Sequence, residues 1–211
     1  VISGVDSMEW YYERETGAGA AHKETASGKI RRSALTFSNR GRTAMAEFTL
    51  TAEQAAQYRG NISFRVTDRA GNISNRKTDT GNILIVDTVS PTRTVSYSPA
   101  KQVVDKKTLR TIEDYGYSAE NTGAILYYDG AMQLTLEIAE ANFYAEDVKA
   151  AVDEKEVEVT GWSRQGDVWT GSIPVSGEGD HIVTVEYTDR SSNEMVSYTS
   201  EQITIDKKKP V

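Results

Sequence analysis

The chain has 211 residues, no cysteine, and 31 acidic against 24 basic residues, which gives a net charge of -7. The absence of cysteine excludes thiol catalysis, thiolate metal sites and disulfide bonds. The acidic balance argues against nucleic-acid binding, which usually needs a basic excess. No apolar stretch approaches the roughly 20 residues of a membrane-spanning helix, so we expect no membrane insertion. The length suits two domains of about 100 residues each.

Short runs of alternating apolar and polar residues dominate the chain. In the first half the predicted strands are Met8–Tyr12, Ser33–Phe37, Ala44–Leu50, Ile62–Val66 and Ile83–Val86. In the second half they are Thr94–Tyr97, Ile125–Tyr128, Leu134–Ile138, Val148–Val152, Val157–Val159, Trp169–Ile173, Ile182–Tyr187 and Ile203–Ile205. Strands at this spacing, separated by Gly, Asn and Asp, predict an all-β fold of β-sandwich domains.

Three segments depart from this strand pattern. Thr51 to Gln54 fits a helix capping box and Gly60 can end a helix, so we expect one short helix near residues 52–58. The segment 16–29 is small and polar, which is typical of a mobile surface excursion. Residues 114–123 have weak periodicity and predict a loop.

One motif occurs twice. Residues 64–72 read FRVTDRAGN, and residues 185–193 read VEYTDRSSN. Each copy is followed by an apolar strand that ends in Asp and, four residues later, by Pro: Asp87 with Pro91, and Asp206 with Pro210. A unit that closes in the same way twice indicates a repeat. We therefore expect one domain over residues 1–90 and a second over residues 91–211.

The two predicted domains differ upstream of the motif. Two predicted strands, Thr94–Tyr97 and Leu134–Ile138, precede Asn142 in the second domain, and nothing comparable opens the first. We therefore expect that the first domain lacks its first strands. We also expect that the second domain ends where a next repeat would start.

The residue types of the motif favour a tight turn. Asp68 and Asp189 follow a strand, where an Asp side chain accepts hydrogen bonds from backbone N–H groups of the turn. Gly71 and Asn72 tolerate the positive φ that a chain reversal needs. The second copy keeps Asn193 but has no glycine, so either the turn can be built without glycine or its geometry differs slightly.

The ends of the two domains have their own signals. Asp87 and Asp206 lie where the last strand leaves each domain. Pro91 and Pro210 cannot donate to a sheet ladder and have a fixed φ, so they end strand pairing and stiffen the joint.

These residues resemble the bacterial Ig-like repeats of large surface proteins of Gram-positive bacteria. In that family a strand is followed by Thr-Asp-Lys/Arg-Ala-Gly-Asn and then by a strand that ends Ile-Asp-x-x-x-Pro. Here the matching segments are Val66 to Asn72 with Asp87 and Pro91, and Tyr187 to Asp189 with Asp206 and Pro210. The resemblance covers nearly all of the chain except residues 16–29. It implies two tandem immunoglobulin-like β-sandwich domains that form a stalk or spacer module of a secreted, wall-attached protein. Fold alone does not determine a ligand.

Catalysis has little support in the sequence. The chain has two histidines, His22 in a polar segment and His181 at the start of a strand, and no Gly-x-Ser-x-Gly elbow. A glycosidase needs two carboxylates that converge in a cleft, but most carboxylates of an acidic sandwich face solvent. We therefore expect no catalytic site and no cofactor.

Two kinds of ligand stay open as alternatives. Oxygen ligands from the strand-terminal Asp residues could gather around calcium at a domain junction, although each Asp has a sufficient role in its turn. The aromatic residues Trp10, Trp162 and Tyr128 are candidates for stacking against a sugar, although a sandwich normally buries a tryptophan in its core.

The leading functional hypothesis is a non-catalytic spacer or stalk module of a large bacterial surface or secreted protein. The alternative is an adhesion or glycan-binding module, which would also suit an accessory domain of a secreted carbohydrate-active enzyme. The expected partners are neighbouring Ig-like repeats of the same chain, and a host protein or glycan in the alternative. The expected location is extracellular, secreted or attached to the cell wall.

Overall fold

The computed structural model describes residues 4–16, 22–41, 43–51, 56–79, 81–118 and 121–208. Within these ranges the chain forms nineteen strands and three short 3-10 helices, and no α-helix. None of the helices in these ranges is long and apolar enough to cross a membrane. The chain divides into two compact units between residues 89 and 90, beside the expected division at 90 and 91.

The first unit is built around one sheet. Its strands are β1 (Val5–Thr16), β2 (His22–Arg31), β3 (Thr36–Ser38), β4 (Thr43–Met45), β5 (Gln57–Asp68), β6 (Lys77–Thr78) and β7 (Leu84–Asp87). The sheet has the order β2-β1-β5-β6, and β7 also pairs with β5. β3 and β4 pair with each other in a separate hairpin. In the described residues β2 pairs with β1 alone, so it is an edge strand.

Alternation along the central strands divides this sheet into an apolar and a charged face. On the apolar face Trp10 lies opposite Phe64, and Phe48 stacks on Trp10 with ring centroids 4.8 Å apart. On the charged face Glu9 forms an ion pair with Arg65. The aromatic stacking covers part of the apolar face, as the second layer of a sandwich does.

The first unit corrects two expectations. In the described residues the segment 16–29 is not an excursion, because β1 and β2 pair in register from Ser7 with Arg31 to Thr16 with His22; residues 17–21 lie outside the described residues. The predicted helix near 52–58 is wrong where the structure describes it, since β5 begins at Gln57, and residues 52–55 lie outside the described residues. The β5–β7 pairing, which joins Tyr58 to Val86, outweighs the local helical signal there.

The second unit has twelve strands in three four-stranded sheets. They are β8 (Thr92–Tyr97), β9 (Gln102–Asp105), β10 (Ala124–Tyr128), β11 (Met132–Ala139), β12 (Val148–Val152), β13 (Lys155–Val157), β14 (Thr160–Gln165), β15 (Val168–Val175), β16 (Gly179–His181), β17 (Val183–Tyr187), β18 (Tyr198–Thr199) and β19 (Gln202–Ile205). The orders are β14-β15-β11-β8, β16-β19-β10-β9 and β13-β12-β17-β18. β10 and β19 are parallel.

Two of these sheets form one continuous layer. The chain passes from β16 to β17 through Ile182, and from β18 to β19 through Ser200 and Glu201. At this bend the N–H of Ser200 donates to the carbonyl of Val183 at 2.8 Å. One core cluster contains buried residues of all three sheets, so this bent layer and the β11 sheet enclose a single sandwich core.

The strand β11 shows how the sequence places the second core. Its side chains alternate between buried and partly or fully exposed, with Leu134, Leu136 and Ile138 all at 0% exposure. Fully burying such a side chain contributes about 1.5–3 kcal/mol. The second unit therefore has a continuous apolar core without any disulfide bond.

Candidate functional site

The first copy of the duplicated motif forms a tight turn after β5. The Oδ1 atom of Asp68 accepts the backbone N–H groups of Ala70 at 2.9 Å and Asn72 at 2.8 Å. The Oδ2 atom accepts the side-chain N–H of Asn72 at 2.9 Å. Gly71 adopts φ 86, in the left-handed region that favours glycine. Hydrogen bonds to Asp68 therefore close this turn.

The second copy repeats this geometry without glycine. The Oδ1 atom of Asp189 accepts the N–H groups of Ser191 and Asn193, each at 2.8 Å. The Oδ2 atom accepts the side-chain N–H of Asn193 at 2.7 Å. Ser192 takes the position of the glycine with φ 71, a conformation that costs a residue with a Cβ about 1 kcal/mol. The hydrogen bonds of Asp189 thus stabilise a locally strained turn.

The surroundings of Asp189 are buried and acidic. Asp189 is 4% exposed and Glu140 is 1% exposed, and a carboxylate oxygen of one lies within 4.8 Å of one from the other. Burial, together with the charges of Glu140 and Asp189, raises the pKa of Tyr187 to about 12. Carboxylate oxygens are the ligands that calcium prefers, and the calcium alternative stays a prediction.

The strand-terminal residues stabilise the turns that follow them. The Oδ1 atom of Asp87 accepts the N–H of Val89 at 3.0 Å, and Oδ1 of Asp206 accepts the N–H of Lys208 at 2.9 Å. Pro91 is buried directly before β8. Pro210 lies outside the described residues.

The three predicted stacking aromatics have different surroundings, and two of them lack an open ring face. Trp10 stacks on Phe48 and lies against Gly28, where an added Cβ would meet the indole at 2.6 Å. Tyr128 is 7% exposed and donates its hydroxyl to the carbonyl of Ser98 at 2.6 Å. Packing therefore removes both from contact with a sugar. Trp162 is half-buried and lines an open cavity.

A buried carboxylate that the sequence analysis missed organises the middle of the second unit. Glu201 is 1% exposed. Its Oε1 atom accepts the backbone N–H and the hydroxyl of Thr122, the latter at 2.8 Å, and the hydroxyl of Tyr115 at 3.5 Å. Its Oε2 atom accepts the N–H groups of Gly123 at 3.1 Å and Ala124 at 2.9 Å. Glu201 thus ties the end of the long loop before β10 to the bend before β19.

The sequence contains a signal for the buried position of Glu201. In β19 the inward positions are Ile203 and Ile205, both 1% exposed or less. Glu201 lies two residues before Ile203, and alternate side chains of a strand point to the same face, so the side chain of Glu201 points inward as well. A charge at an inward position needs hydrogen-bond donors, and the predicted loop supplies them.

A cavity of about 560 Å³, the Trp162 cavity, lies between β12, β13 and β14. Its lining consists of Ala145, Glu146, Val148, Glu156, Val157, Glu158, Val159 and Trp162. A register shift between Thr160 and Ser163 marks a bulge in β14, with Gly161 at φ 69. Bulges redirect side chains at sheet edges, and this one places Trp162 against Phe143, with ring centroids 4.9 Å apart.

The Trp162 cavity belongs to a larger acidic face. Two neighbouring cavities of about 410 and 440 Å³ share residues with it. The carboxylates that line the three are Glu146, Asp147, Glu154, Glu156, Glu158, Glu186 and Asp189, and the cations are Lys149 and Arg190. Arg190 is already paired with Glu146 and Asp147, each at 2.7 Å. The face therefore keeps an excess of negative charge.

His181 forms a pair that resembles part of a catalytic dyad. Its Nδ1 atom lies 2.7 Å from Oδ2 of Asp153, and Oδ1 of Asp153 accepts the N–H of Ile182 at 2.9 Å. A nucleophilic hydroxyl would have to hydrogen bond to Nε2, but in the described part of the chain the buried Nε2 has no hydrogen-bond partner. The pair therefore acts as a clamp between the β12–β13 turn and β16.

Comparison with known proteins finds a distant structural similarity. No family model matches the sequence, and no curated protein matches it. A similar solved structure is described as "Structures of Clostridium thermocellum CbhA fibronectin(III)-like modules". The two chains are 16% identical, the match covers 97% of this chain and 80% of that one, and the TM-score is 0.32. At that TM-score the similarity carries no argument about fold or function.

The class of this protein follows from its own strand pairing. The chain is an all-β protein of sandwich type, in two units that each contain one copy of the same hydrogen-bonded Asp–Asn turn.

Proposed function

We propose that the chain is a non-catalytic spacer in a large bacterial surface or secreted protein. The observation that supports this most directly is the repeated turn, in which Asp68 and Asp189 use their carboxylates on backbone N–H groups of their own units. Carboxylates engaged in this way stabilise the fold of their unit and contribute little chemical reactivity. The partners of such a spacer are neighbouring repeats of the same polypeptide, and its location is extracellular.

The strand order of the second unit suits a module that resists extension. Force on the polypeptide enters this unit through β8 and leaves through β19. β8 pairs with β11 from Thr92 to Tyr97, and β19 lies between β10 and β16. The hydrogen bonds of a ladder run across the strands, so a pull along β19 loads all of them together. Separating β19 from its two neighbouring strands then requires many hydrogen bonds to break at once.

Single-molecule pulling tests this mechanism on the intact chain placed between reference domains. Thr204 pairs with Tyr127 on one side and with Asp180 on the other. Thr204→Pro removes one ladder N–H and should lower the unfolding force of the second unit. Thr204→Val is the matched control, because it loses only the hydroxyl bond to Asp180. Equal forces for the proline variant and the wild type would contradict the spacer mechanism.

A binding module is the second candidate, and the Trp162 cavity favours it. An adhesive or glycan-binding module needs an accessible concave surface with apolar and polar groups. Titration with a panel of soluble polysaccharides, read at the Trp162 indole, tests the glycan form of this candidate. Saturable binding there would favour it over a spacer alone.

A further inference from the structure

The Trp162 cavity combines an apolar floor with an acidic rim. Val157 and Val159 have inward parity, and Val159 is buried. Glu156 and Glu158 also line the cavity, and both are exposed. A ligand in this cavity would therefore meet both hydrocarbon and carboxylate groups.

Two of the three carboxylates that line this cavity are available to a ligand. Glu146 is paired with Arg190 at 2.7 Å. Among the residues that the structure describes, Glu156 and Glu158 form no ion pair within 4.0 Å. Two carboxylates without a cation beside an aromatic floor are complementary to a group that is both positively charged and apolar.

We propose that the Trp162 cavity binds a lysine side chain presented by a partner protein. The four-carbon stem of the lysine lies on Trp162, Val148 and Val157, and its ammonium group lies at Glu156 and Glu158. A neutral sugar is a poorer fit, because it has no positive charge to place beside Glu156 and Glu158. The acidic face around the cavity extends the charge complementarity to a basic surface.

The proposal goes beyond the spacer function and does not depend on it. A spacer without a lysine site would still show a high unfolding force. A lysine site on a mechanically weak module would still bind its ligand. A negative result in the pulling experiment would therefore not contradict the lysine site, and a negative result in the lysine titration would not contradict the spacer function.

Titration of the ¹⁵N-labelled chain tests the proposal, with N-acetyl-lysine methylamide as the probe. The expected result is a saturable shift of the Trp162 indole N–H and of the amides of Glu156 and Glu158, with a Kd on the order of millimolar. N-acetyl-norleucine methylamide has the hydrocarbon stem without the charge and should bind more weakly. Salt should weaken the lysine probe, since the Debye length falls from about 10 Å at 0.1 M to about 3 Å at 1 M.

Variants of exposed residues complete the test without a risk to folding. The double variant Glu156→Gln and Glu158→Gln should weaken the lysine probe by up to about five-fold per carboxylate. Glu137→Gln is the matched control, because Glu137 is an exposed glutamate on β11 outside the cavity. The proposal is overturned by equal binding of both probes, by an unchanged Kd in the double variant, by no saturable shift, or by polysaccharide binding at Trp162 in place of the lysine probe.

Discussion

Replacing Glu201 with glutamine should destabilise the second unit far more than the small change in shape suggests. The carboxylate accepts five hydrogen bonds and donates none, the pattern of an ionised carboxylate. In Glu201→Gln one oxygen becomes an NH₂ group. If the remaining oxygen accepts from Thr122, the NH₂ group faces the N–H groups of Gly123 and Ala124. Both N–H groups then lose their hydrogen bond to the charged carboxylate; the buried N–H of Ala124 loses its side-chain acceptor, and the N–H of Gly123 keeps only Oδ1 of Asn121 at 3.2 Å.

The size of the effect follows from these two donors. A hydrogen bond to a charged group contributes about 1.5–3 kcal/mol, and removing the buried charge recovers part of its desolvation penalty. A net loss of about 3 kcal/mol is therefore expected for Glu201→Gln. For a unit of this size that corresponds to a fall in Tm of roughly 10 °C.

Thermal unfolding followed by near-UV circular dichroism measures this change on the whole chain. Hydrogen exchange adds a local readout, since the amides of Gly123 and Ala124 should lose protection first. Glu137→Gln serves as the control, because its side chain is exposed. A loss below about 1 kcal/mol, or unchanged protection at both amides, would refute the assigned role of Glu201.

Three further predictions concern the turns and packing. Ser192→Gly should raise the stability of the second unit by roughly 0.5–1 kcal/mol by relieving the positive φ, and an unchanged denaturation midpoint would contradict the strain. Burial alone would raise the pKa of Asp153, but hydrogen bonds from His181 and the N–H of Ile182 lower it below its usual value. The clamp therefore stabilises the fold above a pH of about 4, and this stabilisation is lost as the pH falls through the lowered pKa. Asp153→Asn should remove that part of the acid dependence of Tm. Parallel curves of Tm against pH for the variant and the wild type would count against the clamp. Gly28→Ala should weaken the first unit by about 1–3 kcal/mol, because the new Cβ would meet the Trp10 indole at 2.6 Å; unaltered tryptophan fluorescence and urea midpoint would disprove this packing.

Alternation and turn chemistry were enough to predict most of the second unit. The predicted strand Leu134–Ile138 lies inside β11, and Ile125–Tyr128 inside β10. Asp189 accepts hydrogen bonds from the backbone of its turn, and Asx turns of this kind depend on local hydrogen bonds that the sequence encodes directly.

Other features depended on pairings that local sequence does not specify. The polar strand β2 forms because β1 offers it a ladder of ten residue pairs, which outweighs its weak strand propensity. β5 begins at Gln57 because β7 pairs with it there. Predicting the Trp162 cavity would have required knowing which strands lie side by side. The bulge at Gly161 could not be located from residue spacing alone.

The open edge of β2 has a consequence for how the chain behaves when crowded. Ten residues of backbone on this strand have a single neighbour in the described residues, and such an edge can recruit an extended segment of another molecule. Lys29 and Arg31 stand exposed along it, where like charges on approaching chains repel each other. Neutralising the charges of these two side chains should therefore increase the tendency to aggregate, with almost no change in the stability of the folded unit.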